Sequence, residues 1–121
     1  MTKIEAMQRI NGRLGAVTLY DNNTFWSACG RYGGDEGWWL KIPLASFKSD
    51  IHIILNRESS KVFLHLKIRA REILSPAMKF RCTEQMAEMF IPAANMRRLG
   101  DILPGGSKHG LSKNIVAEYR F

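Results

Sequence analysis

The chain has 121 residues, 45% of them hydrophobic and 24% charged. That balance excludes a disordered chain, which buries too little apolar surface to offset its ordering entropy, and the length predicts one domain over residues 1–121. The formal charge of +7 and isoelectric point near 9.8 fit a protein that meets polyanions. The excess is uneven: residues 1–60 hold seven Lys/Arg against six Asp/Glu, residues 61–121 eleven against five.

MTKIEAMQRI lacks the apolar core of a signal peptide, and no stretch approaches the ~18 apolar residues of a membrane span. A cytoplasmic location with reduced thiols is therefore expected. Cys29 and Cys82 are too few for a disulfide framework or a CxxC zinc site, and both are expected to be buried and inert. Thr2 to Asn11 reads as a short helix, with a Thr2/Glu5 capping box, Ile4, Met7 and Ile10 on one face and Gly12 as the stop. RLGAVTLY alternates with period two and predicts a first strand, and TFWSACGRY a returning second.

GGDEG, residues 33–37, is a glycine-rich turn, after which WWLKIP alternates Trp38, Leu40 and Ile42 against Trp39, Lys41 and Pro43. This is a strand with one buried face that lies at a sheet edge or ends at Pro43, which cannot donate to a ladder. In REILSPAMKFR, Pro76 interrupts any helix and leaves a short strand at Ala77–Arg81. TEQMAEMF and AANMRRLGDIL predict a helical region over 83–103, with Met86, Met89 and Phe90 as a stripe. LPGGSKHG is a loop whose Gly105, Gly106, Ser107 and Lys108 could cradle an anion, and NIVAEYRF is a closing strand.

The most informative stretch is DIHIILNRESSKVFLHLKIRA, residues 50–70. With RESS as the turn, Ile54 faces Phe63, His52 faces His65 and Asp50 faces Lys67. Alternation puts Ile51, Ile53, Leu55, Val62, Leu64, Leu66 and Ile68 on one face, the core. The opposite face carries Lys61, Phe63, His65, Lys67 and Arg69, with Trp39 and Lys41 if the WWLKIP strand is a neighbour. Exposed rings among cations suit single-stranded nucleic acid, since bases stack on the rings while Lys and Arg neutralise the backbone.

Two other chemistries fit the same residues. Opposed His52 and His65, with Lys67 and Arg69 for the phosphorane charge, would make a metal-independent ribonuclease. Trp38, Trp39, Phe47 and Arg97 would anchor an inhibitor or adaptor, such as one encoded by a mobile element, on a protein partner. Arg97 and Arg98, with Lys79 and Arg81, form a second candidate basic patch. No metal-ligand spacing or nucleotide-binding motif is present, so no metal or cofactor is expected.

The expected fold is α+β: a curved, mostly antiparallel sheet of five to seven strands, open or partly closed into a barrel, with the N-terminal helix and region 83–103 packed on it. The expected function is non-enzymatic binding of RNA or single-stranded DNA through Trp39, Lys41, Lys61, Phe63, His65, Lys67 and Arg69.

Overall fold

A computed structural model describes residues 1–121. Helix α1 (Lys3–Leu14) is followed by strands β1 (Thr24–Ala28), β2 (Gly30–Tyr32), β3 (Asp35–Pro43), β4 (Ile51–Arg57) and β5 (Val62–Ile68). A short helix α2 (Pro76–Lys79) leads into β6 (Arg81–Thr83) and β7 (Met86–Pro92), and β8 (Ile115–Arg120) closes the chain. The class is α+β as expected. The eight strands form two four-stranded sheets, ordered β1-β4-β5-β8 (sheet A) and β2-β3-β7-β6 (sheet B), rather than one sheet of five to seven.

The inner faces of the two sheets supply the main core. Sheet A contributes Ile51, Ile53, Leu55, Leu64, Leu66 and Ile68, and sheet B contributes Trp38, Leu40, Ile42, Ala87, Met89 and Ile91. Each such fully buried aliphatic side chain stabilises by roughly 1.5–3 kcal/mol relative to exposure. Cys29 lies between β1 and β2, where the chain passes from one sheet to the other. Its N–H donates to the Asn56 carbonyl at 2.8 Å, and the Trp38 indole donates to the same oxygen at 2.9 Å.

Several local expectations fail for identifiable reasons. The helix runs past Gly12 to Leu14 and stops at Gly15, whose φ of 74° suits the left-handed cap. Thr2 does cap it, accepting from the Glu5 N–H at 3.2 Å. Its buried side is Ala6 and Ile10, while Ile4 is exposed. RLGAVTLY forms no strand, and β1 instead pairs with β4 in parallel. Pro76 opens helix α2 at its first position, where its missing N–H costs nothing, so no strand forms at Ala77.

The largest difference lies in 83–103. Helix-favouring residues there form β7, because Ala87, Met89 and Ile91 alternate inward while Glu88 and Phe90 face the other way. Tertiary burial overrides a weak local propensity. Gly37 belongs to this pairing: a Cβ there would lie 2.2 Å from the Ile91 carbonyl oxygen, so only glycine admits the close approach of β3 and β7.

Candidate nucleic-acid interface

The hairpin β4–β5 keeps the expected division of faces but with the pairing moved by two residues. Ile54 faces His65, His52 faces Lys67 and Asn56 faces Phe63, with a 3-10 turn at Glu58–Ser60 and Lys61 in the left-handed region at φ 52°. A shift of two preserves the alternation, so the core face is unchanged. The other face is not open. Ala6 and Ile10 of α1, with Leu19 beyond it, pack on Ile54, Phe63 and Tyr119 as a second core.

Phe63 is thus fully buried, stacked on Tyr119 at 4.7 Å with the rings 2° from parallel. His65 is 1% exposed. Neither can receive a base, which corrects the expected stacking role of Phe63 and the phosphate role of His65. Lys61 sits exposed in the hairpin turn, whereas Lys67 and Arg69 lie at the opposite end, lining a cleft of about 390 Å³. Trp39 and Lys41 belong to the other sheet altogether.

His52 and His65 meet diagonally across the hairpin, with Nδ1 of His52 2.8 Å from Nε2 of His65. Burial pushes His65 down to about 4, helped by the charge on His52 and Lys67, and burial followed by Lys67 also lowers His52. Desolvation disfavours the imidazolium form. With the rings buried against each other and neutral at pH 7, the pair presents no acid and base to an external phosphodiester, contrary to the ribonuclease expectation.

The outer face of sheet B is different. Trp39 and Phe90 are directly opposed on β3 and β7, and Tyr32 at the end of β2 joins them. The Tyr32 centroid lies 5.6 Å from Trp39 and 5.3 Å from Phe90. Phe90 is buried beneath, Trp39 is half-buried and Tyr32 is 42% exposed. Offset and edge contacts of this kind hold rings without a covering layer.

Beside the rings runs a row of charge across β3, β7 and β6, in which Lys41 and Arg81 both face Glu88. Arg81 bonds the nearly buried Glu88 carboxylate at 3.2 Å, and its guanidinium lies over the Trp39 ring at 5.9 Å. Lys41 is exposed and enters no ion pair.

The glycine-rich loop 104–110 borders the same strands. Ser107 N–H donates to the Lys79 carbonyl at 2.8 Å, Gly105 lies against the Arg81 side chain, and Arg98 donates to the Lys108 carbonyl. Lys79, Arg81, Arg98 and Lys108 are therefore gathered in one region, and Lys79, Arg98 and Lys108 are exposed without ion pairs. Arg97 is exposed next to them, and the Arg97/Arg98 and Lys79/Arg81 patch seen in the sequence is assembled largely as one. No helix is needed for it.

Asp101 pins this loop. Its Oδ1 accepts from the Phe90 and Leu103 N–H groups, both at 3.0 Å, while burial raises the carboxyl above its ordinary value. A Cβ on Gly106 would fall 2.6 Å from Asp101 Oδ2, so any larger residue there displaces the Asp101 carboxylate. The anion cradle expected at Gly105–Lys108 is only partly available, because the Gly106 and Ser107 N–H groups already donate to Leu103 and Lys79.

Of the expected protein-binding anchors, Trp38 and Phe47 are core residues at 1% and 2% exposure, which removes them, while Trp39 is half-buried and Arg97 exposed. Cys82 is exposed rather than buried; half-buried Cys29 is pushed up to about 11 by desolvation and its contact with Glu36. No three of the His, Cys, Asp and Glu side chains cluster as metal ligands. No helix is long and apolar enough to cross a membrane.

No family model matches the chain, and no curated protein or solved structure matches it.

Proposed function

We propose that this protein binds single-stranded nucleic acid, RNA or DNA, without acting on it chemically, through the outer face of sheet B and the adjoining loop. The observation that carries this is the open ring cluster of Tyr32 and Trp39, backed by Phe90 and flanked by Arg81 and unpaired Lys41. Bases stack on the Tyr32 and Trp39 rings, each such contact contributing roughly 1–3 kcal/mol with little sequence preference. Lys41, Lys79, Arg98 and Lys108 neutralise the phosphates on either side. Lys61, Lys67 and Arg69 lie elsewhere and take no part in this contact.

The test is fluorescence anisotropy of a labelled 20-nucleotide oligouridylate carrying a 5′-hydroxyl, titrated across a salt series. Saturable binding that weakens with salt is expected, with a log–log slope reduced by about 0.7 for each phosphate-contacting cation removed. Lys41→Ala combined with Lys108→Ala should weaken binding and flatten the slope. Equal affinity and slope in wild type and variant would overturn the proposal.

A second reading has its own observation. Leu74 and Met78 are 72% and 79% exposed, beside adjoining grooves lined by Leu44, Ala45, Lys48 and Pro76. Apolar surface of this kind marks protein contacts, so an inhibitor or adaptor role would use Leu74 and Met78. A protein partner retained after nuclease treatment and lost in Leu74→Asp, Met78→Asp favours that reading.

A further inference from the structure

Helix α1 roofs only part of the outer face of sheet A. Beyond it, the pairing of β5 with β8 slips between His65 and Leu66, and the 3-10 turn Ser112–Asn114 enters beside the end of β5. The cleft of about 390 Å³ left there is lined by Lys67, Arg69, Glu72, Lys113 and Asn114, with Ile115 and Val116 at its side.

Its acidic groups are occupied. One oxygen of Glu72 accepts the Arg69 N–H at 3.0 Å and the other the Asn114 amide at 2.6 Å. Burial acts to raise the Glu72 carboxyl, but these bonds and the charges of Lys113 and Arg69 outweigh it and hold it below its usual range. Asp50 accepts the Ala70 N–H at 2.7 Å and stands 3.8 Å from the Lys67 ammonium, a loose pairing. Arg69 and Lys113 are exposed and enter no ion pair.

Asn114 is 6% exposed, and its amide nitrogen is fixed by two acceptors, the Lys67 carbonyl at 3.0 Å and Glu72. That fixes the flip and leaves Oδ1 buried with no donor from the protein. A buried acceptor without a partner is unfavourable.

We propose that this cleft is a phosphate site, with Lys67, Arg69 and Lys113 as the cationic ligands. The phosphate group belongs either to a small phosphomonoester or to the 5′ end of a nucleic-acid strand. Three cations around one cavity recognise the dianion that both share, and the volume admits more than the phosphate alone. The site lies on the other sheet from the ring cluster and does not depend on the nucleic-acid reading.

His52 faces Lys67 across the strands and reports on the cleft. The groups acting on its ring are Lys67, Asp50 and the neutral His65. An anion on Lys67 offsets the like charge that disfavours His52 protonation, so occupancy raises the His52 titration midpoint.

The test is NMR of the full chain, following the His52 ring and the Lys67 and Asn114 amides at constant ionic strength. The probes are ribose 5-phosphate and a 20-nucleotide oligouridylate with and without a 5′-phosphate. Saturable shifts with ribose 5-phosphate assign a small phosphomonoester, and shifts with only the phosphorylated strand assign a strand end; either supports the site. The Arg69→Glu, Lys113→Glu variant should weaken binding at least tenfold with its thermal melt unchanged, and Arg69→Gln, Lys113→Gln less. Absence of saturable shifts with every probe, or equal affinity in wild type and charge-reversed variant, overturns it.

Discussion

The outer faces of the two sheets start from similar ingredients, aromatic rings interleaved with cations, and reach opposite ends. On sheet A, Phe63 and Tyr119 stack beneath α1 and become a second core. On sheet B, Tyr32 and Trp39 gather above Phe90 with no helix laid over them. Alternation along a strand decides which residues share a face. What covers that face is decided by the rest of the chain.

The largest expected effect is at Phe63. Phe63→Ala should cost about 3–5 kcal/mol in denaturant unfolding, since it removes a fully buried ring, while oligonucleotide affinity per folded molecule stays unchanged. Under the roof, the neutral histidines make stability sensitive to acid. A histidine with a depressed folded pKa contributes fully above its unfolded value near 6.5 and loses that contribution as pH falls toward its folded value. For His65, at about 4 when folded, the loss between pH 6.5 and 4 is roughly 3 kcal/mol. Its ring proton should titrate near 4 by NMR; a midpoint near 6.5 would mean an open face.

On sheet B the effects fall on binding. Tyr32→Ala removes an exposed ring and should weaken oligouridylate binding by about 1–3 kcal/mol, roughly five- to 150-fold, with little change in melting temperature. The smallest effect is at the helix start. Thr2→Ala removes the hydroxyl that caps α1 and should cost about 1 kcal/mol, read as a lower denaturation midpoint without loss of binding.

The sequence was legible where a side chain's partner is its near neighbour. The Thr2 cap, the inward Trp38, Leu40 and Ile42, and the hairpin's apolar face follow from local periodicity. Even the two-residue error in pairing is harmless to that division. Strand β7 is hidden in the sequence because Glu, Gln, Met and Ala favour helices, although Ala87, Met89 and Ile91 already alternate. That alternation was the available signal.

The roof over Phe63 and the gathering of Tyr32 with Trp39 and Arg81 were not legible. Both depend on contacts between distant segments, such as Arg9 with Phe63 or Gly105 with Arg81. The parallel pairing of β1 with β4 has the same origin, since β2 and β3 intervene between them. The apolar side of α1 required a surface to bury against, but its composition does not say which one.

The most direct test of nucleic-acid binding on sheet B is a chemical-shift map of the full chain with a 20-nucleotide oligouridylate bearing a 5′-hydroxyl. Saturable shifts are expected at Tyr32, Trp39, Lys41, Arg81 and the loop 104–110, with Phe63 and His65 unmoved. Shifts centred on the hairpin β4–β5 with sheet B silent, or no saturable shifts at all, would contradict it.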